Sequence, residues 1–177
     1  MPAVELFVDE SRRRDYLLCA AVVPDQDMEL ARKIMRDLKP RNRSRLHISD
    51  ERNRDRIIGE FVRLKPISEA HIFIASMQGA PSERHIRTRC LDALACYAVG
   101  AGATRILVES CSQDKQDKAA LTDTLARLGA LNRIRVVVDQ PTSHELLWAA
   151  DLVAWSYSAG GNPRKRIEHL VTVHDVT

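Results

Sequence analysis

Val4-Glu5-Leu6-Phe7-Val8-Asp9-Glu10-Ser11-Arg12-Arg13-Arg14-Asp15-Tyr16-Leu17-Leu18-Cys19-Ala20-Ala21-Val22-Val23 is the stretch on which the fold turns. Two apolar runs of strand length, Val4 to Val8 and Tyr16 to Val23, flank a short polar segment, a pattern that predicts an antiparallel hairpin with a basic tip. The first run ends on an acid. A carboxylate set against a core-forming segment must find hydrogen bonds, a cation or a shifted pKa, because burying it unpaired is costly.

Downstream of the hairpin the period changes. Met28, Ala31, Met35 and Leu38 share a helical face after the capping candidate Asp25, and Pro40 stops that helix. Residues 40 to 54 are polar and arginine-dense, with Leu46 and Ile48 flanking His47, and a helix bearing Ile57, Ile58, Phe61 and Leu64 follows. Residues 25–66 therefore read as a helical insertion after the second strand, and as a candidate flap.

Ala70 to Ser76 reads as a third strand. Pro81-Ser82 opens a long helix with Ile86, Cys90, Leu94 and Ala98 on its buried stripe, closed by Gly100 to Gly102. Thr104 to Glu109 is a fourth strand, residues 114 to 128 a helix stopped by Gly129, and Ile134 to Asp139 a fifth strand. Thr142 and Glu145 have capping-box spacing for a last major helix, which Gly160 to Pro163 ends before a basic tail. A hairpin meander continued by right-handed crossovers predicts an α/β fold. Its mixed five-stranded sheet has the order 3-2-1-4-5 and helices on both faces, in a single domain over residues 1–177.

With 177 residues and 45% apolar content, the chain can bury one sizeable core. The formal charge is +3, yet 21 of the 27 basic residues are arginine, crowded at Arg12 to Arg14, Lys39 to Arg56, Arg84 to Arg89 and Arg164 to Arg166. Such surfaces suit nucleic acid, whose phosphates match the guanidinium fork, and equally suit a merely solvated surface. Cys19, Cys90, Cys96 and Cys111 lack any Cys-x-x-Cys pair and read as reduced core thiols, which points to the cytoplasm. The sequence shows neither a leader pattern nor an apolar run of membrane-spanning length, so no membrane partner is expected. Oligomeric state is left open.

Two more acids resemble Asp9 in placement. Glu109 closes the fourth strand, and Asp151 lies inside Leu147-Trp148-Ala149-Ala150-Asp151-Leu152-Val153-Ala154-Trp155. Taken singly, Asp9 suits an Asx turn with Ser11, and Glu109 suits an arginine pair or a loop cap. Asp151 is harder to place so, since its helical neighbours Leu147, Trp148, Ala154 and Trp155 are apolar. Strands one and four are neighbours in the expected order, so these acids can meet, and converging carboxylates suit a pair of Mg²⁺ or Mn²⁺ ions acting on a phosphodiester. No glycine-rich phosphate loop and no nucleophile-base-orienter set competes with them. Asp139 reads as a turn residue, and Trp148 and Trp155 as core.

Val8-Asp9-Glu10-Ser11, Leu46-His47 in the arginine-rich insertion, Val108-Glu109, and Ala150-Asp151-Leu152-Val153-Ala154 together resemble the domain of unknown function 3800 family. That family is similar to the ribonuclease H-like superfold, and the resemblance runs from Val4 to about Tyr157. It implies a metal-dependent nuclease-like site with ligands Asp9, Glu109 and Asp151, and with Glu10, Ser11 and His47 nearby. The chain departs from the family at Leu46, where a glutamate is common, and at His144 to Trp148, where a glutamine is. A fourth acid from the first long helix is frequent in ribonuclease H-like enzymes, and Asp92 is the candidate here. His47 either orients water, donates to a leaving oxygen or binds phosphate, or else sits at the surface among arginines. The expectation is a metal-dependent nuclease or phosphodiesterase. A catalytically silent nucleic-acid- or protein-binding module of the same fold is the alternative, and a small-phosphoester hydrolase a third reading.

Overall fold

The computed structural model describes residues 2–177. β1 (Val4–Ser11) pairs antiparallel with β2 (Tyr16–Pro24), which pairs antiparallel with β3 (Glu69–Ala75). On its other side β1 runs parallel to β4 (Ala103–Glu109), which runs parallel to β5 (Arg135–Asp139). The chain ends in β6 (Val171–Asp175), parallel to β3, so the sheet has six strands in the order β5-β4-β1-β2-β3-β6. The expectation of five strands is thereby corrected: the five sit in the expected adjacency, and the tail adds an edge strand. Val171–Asp175 is only five residues long with three of its positions exposed, which leaves almost no alternating signal to read.

Helices cover both faces. α1 (Met28–Leu38), α2 (Arg54–Leu64), α5 (Glu145–Ala159) and the short α6 (Gly161–Ile167) pack on one face, around Phe7, Cys19, Ile72 and Leu107. α3 (Glu83–Ala101) and α4 (Asp114–Arg127) pack on the other, around Leu6, Val8, Phe73 and Ile106. Each strand alternates between the two cores, as a period of two requires. Burying each of these Leu, Ile or Phe side chains contributes about 1.5–3 kcal/mol.

Several local expectations need correction. The helix expected after Asp25 begins one turn later, because Asp25–Asp27 forms a separate 3-10 turn. Thr142 does not cap α5: Pro141–Ser143 is a 3-10 turn, and the Glu145 carboxylate accepts from Arg36 Nη1 (3.2 Å) instead of closing a capping box. The insertion carries a further 3-10 turn, Ile48–Asp50, and is anchored through buried Leu46 and Ile48. Cys96 is exposed, unlike the buried thiols of Cys19 and Cys90. Ser82 behaves as expected, accepting the His85 backbone N–H at the start of α3. No helix among the described residues is long and apolar enough to cross a membrane.

The β3–β6 seam carries a histidine pair. His71 Nδ1 lies 2.8 Å from His174 Nε2, and both rings belong to an aromatic stack with Phe73 and Tyr97. The facing charge is Glu69, whose carboxylate lies 3.3 Å from His71 Nε2 and accepts from the Tyr97 hydroxyl. Burial, and then the charge of His71, lower the pKa of His174. A base with a lowered folded pKa binds fewer protons folded than unfolded, so its contribution to stability is full above about pH 6.5 and falls as pH drops below that value. Protection of the Val171–Asp175 amides, taken relative to their intrinsic exchange rates, is therefore expected to fall between about pH 7 and pH 5, and to fall less in His174→Gln. Unchanged protection in the wild type contradicts this.

Candidate functional site

Register alone brings the first two acids together. Val8 pairs with Val108 in the parallel β1–β4 ladder, so Asp9 and Glu109 are the next residues along adjacent strands about 4.8 Å apart. Phe7 and Leu107, two residues earlier, point into the α5-side core, and period two puts Asp9 and Glu109 on that same face. α5 crosses this face against β1 and β2 and delivers Asp151 from above. Asp9, Glu109 and Asp151 line one cavity of about 220 Å³ at the C-terminal ends of β1 and β4, with His47, Glu10 and Arg87 completing its wall.

Asp9 is 8% exposed and has no basic partner among the described residues. Its Oδ1 accepts the Glu10 backbone N–H (2.7 Å). Burial raises its pKa well above the ordinary range, and the charges of Glu109 and Asp151 add to the shift. Burial likewise raises Glu109, although the hydrogen bond from Asp9 and the nearby Arg45 pull it back. Both shifts favour the neutral carboxyl, the response expected of like charges packed in a poorly solvated place. Arg45 Nη1 is 3.9 Å from Glu109 Oε1, a loose contact between partly exposed side chains.

Asp151 is held through one oxygen. Its Oδ2 accepts the Ile48 backbone N–H (3.1 Å) and lies 3.2 Å from His47 Nδ1, leaving Oδ1 without a hydrogen-bond partner among the described residues. The insertion thus closes over the cavity through two successive residues. The hydrogen bond to Asp151 raises His47 above its ordinary value against a smaller opposing effect of burial, and Ser49 Oγ sits 2.9 Å from its other nitrogen. The Asp151 hydrogen bond therefore favours the charged form of His47 at the cavity rim.

The remaining candidates are placed differently. Glu10 points to the opposite face of the sheet, where its carboxylate is shared by Arg87, Arg12 and the Tyr16 hydroxyl. Ser11 Oγ accepts from Ser158 Oγ (2.8 Å) and joins the hairpin to α5. Asp92 is remote from the cavity, accepting from Thr124 Oγ1 (2.6 Å) at the α3–α4 contact. Asp139 is tied to His144 Nε2 (2.8 Å) and the Gln140 N–H.

Sequence reading missed the group that supports the cavity from behind. Arg87 is 2% exposed and grips fully buried Asp117 with Nε at 2.7 Å and Nη2 at 2.6 Å, while Nη1 contacts Glu10 and the Tyr16 hydroxyl. Arg84 adds a second contact to Asp117 (2.9 Å). Burial raises the Tyr16 phenol far above its usual range and works against charge on Arg87, but Asp117, Tyr16 and Glu10 outweigh that and keep the guanidinium charged. One signal was available: Arg87 stands three and four residues before Cys90 and Leu91, on the buried stripe of its helix.

The donor set suits a hard divalent cation in kind: three carboxyl groups, one of them deeply buried with no basic partner among the described residues and its pKa raised by burial and by the other two. In spacing the side chains do not form a closed ligand cage, and no group of three or more His, Cys, Asp or Glu side chains is so arrayed among the described residues. Comparison of the chain with family models and with curated proteins gives no match.

Proposed function

We propose that this protein is a divalent-metal-dependent phosphodiesterase of ribonuclease H-like fold that hydrolyses nucleic acid, a reading that the motif resemblance to the domain of unknown function 3800 family also supports. The observation that carries it is the convergence of Asp9, Glu109 and Asp151 on one cavity, with Asp9 buried and unpaired by any base. The antiparallel β1-β2-β3 meander joined to parallel β4 and β5 supports the fold assignment.

Asp9, Glu109 and Asp151 would hold Mg²⁺ or Mn²⁺. When bound, such ions neutralise phosphate charge and lower the pKa of water so that hydroxide attacks at neutral pH. The Glu10 backbone N–H orients the Asp9 carboxyl toward the cavity. Asp151 is kept in place by the Ile48 N–H, and His47, whose charged form Asp151 favours, would give a proton to the departing oxygen. Arg45 is placed to meet a phosphate oxygen once Glu109 turns to the cation.

Cleavage of labelled DNA and RNA by wild type, Asp9→Asn and Asp151→Asn, with Mg²⁺, Mn²⁺ or chelator, tests the reading. Metal-stimulated cleavage confined to the wild type is expected; equal turnover by all three proteins eliminates it. His47→Gln is expected to retain folding but lose roughly 10²-fold in rate, the range for a positioned acid, with the fall in activity at high pH abolished. An unaltered pH profile removes His47 from proton transfer.

A second reading, a binding module without turnover, is favoured by the loose Arg45–Glu109 pair and by the distance of Asp92 from the cavity. Oligonucleotide binding that persists in chelator, with no cleavage under any metal, selects it.

A further inference from the structure

Trp155 lies one turn beyond Asp151 on α5, so their Cβ atoms are about 5–6 Å apart along the helix surface. Two guanidiniums rest on its half-buried ring: Arg13 Cζ is 5.2 Å and Arg54 Cζ 5.1 Å from the ring centroid. They come from separate places, the tip of the β1–β2 hairpin and the first residue of α2. The hairpin is pinned beside α5 by the Ser158–Ser11 hydrogen bond. Trp148, seven residues earlier, behaves quite differently: it is buried and donates Nε1–H to the Pro141 carbonyl (2.6 Å). Both tryptophans pack as core residues as expected, Trp148 inside the core and Trp155 at its edge, where its ring also carries the two guanidiniums.

Many arginines of this chain are neutralised. Arg12 meets Glu10 and Glu83, Arg63 meets Glu60, and Arg105 meets Glu5. Arg13 and Arg54 have no carboxylate within 4 Å among the described residues: Arg54 Nη1 donates to the Ser49 and Glu51 carbonyls (3.2 and 3.1 Å), and Arg13 is exposed. Beside them Arg52, Arg54, Arg56, Ile58, Trp155 and Pro163 wall a shallow pocket of about 460 Å³. Asp55 also borders it and is turned to Arg166 (3.7 Å).

A guanidinium stacked on an indole keeps its N–H edge free while the ring holds its position, a contact of about 0.5–1 kcal/mol at exposed sites. Unneutralised and braced, such groups meet a phosphate with little ordering cost. The indole, itself packed against the core, thus serves as a fixed brace that holds two unneutralised guanidiniums side by side, where they can meet successive phosphates of a strand.

We propose that Arg13, Arg54 and Trp155 form a strand-binding subsite beside the acid cavity, holding the nucleotide next to the one whose phosphodiester lies at Asp9, Glu109 and Asp151. This rests on the phosphodiesterase reading and names its substrate class: an oligonucleotide, not a mononucleotide or a small phosphoester. An acidic peptide shares the charge but offers no phosphodiester to the neighbouring acid cavity.

Binding of a short labelled single-stranded oligonucleotide, followed by fluorescence anisotropy in chelator so that no turnover intervenes, tests it. The proteins are wild type, Arg13→Gln, Arg54→Gln, the double variant, Trp155→Leu, and Arg133→Gln as a control at the other end of the sheet. Each of Arg13→Gln and Arg54→Gln is expected to reduce the salt slope of log K by about one and to weaken binding several-fold, the double variant by tenfold or more. Trp155→Leu is expected to weaken binding several-fold with little change in salt slope, because both guanidiniums lose their brace while keeping their charge. Arg133→Gln is expected to match the wild type, and a mononucleotide to compete poorly. Arg13→Gln sits at an exposed tip and is read even if another variant loses its fold.

The subsite is overturned by absence of binding in the wild type, by wild-type affinity and slope in the double variant, or by polyglutamate competing as well as unlabelled oligonucleotide. The two readings fail separately. Binding lost in the double variant, with no cleavage by the wild type under any metal, keeps the subsite and removes the phosphodiesterase. Metal-stimulated cleavage with undisturbed binding in the double variant does the reverse.

Discussion

Replacing Asp9 with Asn is expected to raise the thermal midpoint of the metal-free protein at neutral pH by a few degrees, while lowering metal-stimulated cleavage by roughly 10²–10³-fold or more. Asn keeps an oxygen for the Glu10 N–H and presents an amide N–H on the side of Glu109. The backbone contact survives, and the cost of an ionisable carboxyl buried beside two others goes.

The sign of the pH dependence follows from the direction of the shift. A carboxyl whose folded pKa lies above its unfolded one binds more protons folded than unfolded, so stability is highest below about pH 4 and falls as pH rises through the folded pKa. The gain from Asp9→Asn is therefore expected to be absent near about pH 3.5 and to grow toward neutrality; at this chain length about 1 kcal/mol corresponds to roughly 2–4 °C. Calorimetry across pH checks it, and a variant less stable than the wild type at pH 7 contradicts it. Mg²⁺ or Mn²⁺ should stabilise the wild type more than Asp9→Asn, since the ion takes over the role of the proton.

The second large effect lies behind the sheet. Arg87→Met is expected to cost about 3–5 kcal/mol, because it leaves Asp117, fully buried, with Arg84 alone and frees Glu10 to turn its charge toward Asp9. The midpoint should fall by roughly 6–20 °C. Adding Asp117→Leu should recover much of the loss, since the orphaned charge and not the missing arginine carries most of it. A single variant as stable as the wild type, or a double variant worse than Arg87→Met, contradicts this account by chemical denaturation. The pH signature is opposite to that of Asp9. Burial opposes ionisation of Asp117, but hydrogen bonds from Arg87 and Arg84 hold its pKa below the ordinary value, so its stabilisation is present above about pH 4 and lost as pH falls further.

The two arginines on Trp155 and the network on Arg87 show where a linear reading stops. Leu147 to Trp155 is apolar enough to announce a buried helix, but two tryptophans on one face read alike until α2 and the hairpin are packed beside them. Arg87 sits among Arg84, Arg89 and other bases that read as a basic surface, and its partners are 30 and 77 residues away. Glu10 follows Asp9 and reads as its helper, whereas the alternation of a strand sends its side chain to the other core. The sixth strand escaped because a short, half-exposed edge segment has little burial to imprint on its residues.

By itself the sequence determined the period of each segment, and through it the hairpin, the crossovers, the adjacency of strands one and four, and the face to which Asp9 and Glu109 belong. Periodicity records whether a position is buried, and burial is decided locally by the pitch of helix or strand. Only the tertiary structure decided which charges meet: Arg87 with Asp117, His47 with Asp151, Arg13 and Arg54 on one indole. A charge requires some partner wherever it is desolvated, but its identity is settled by how distant elements pack, and no pattern along the chain carries that information.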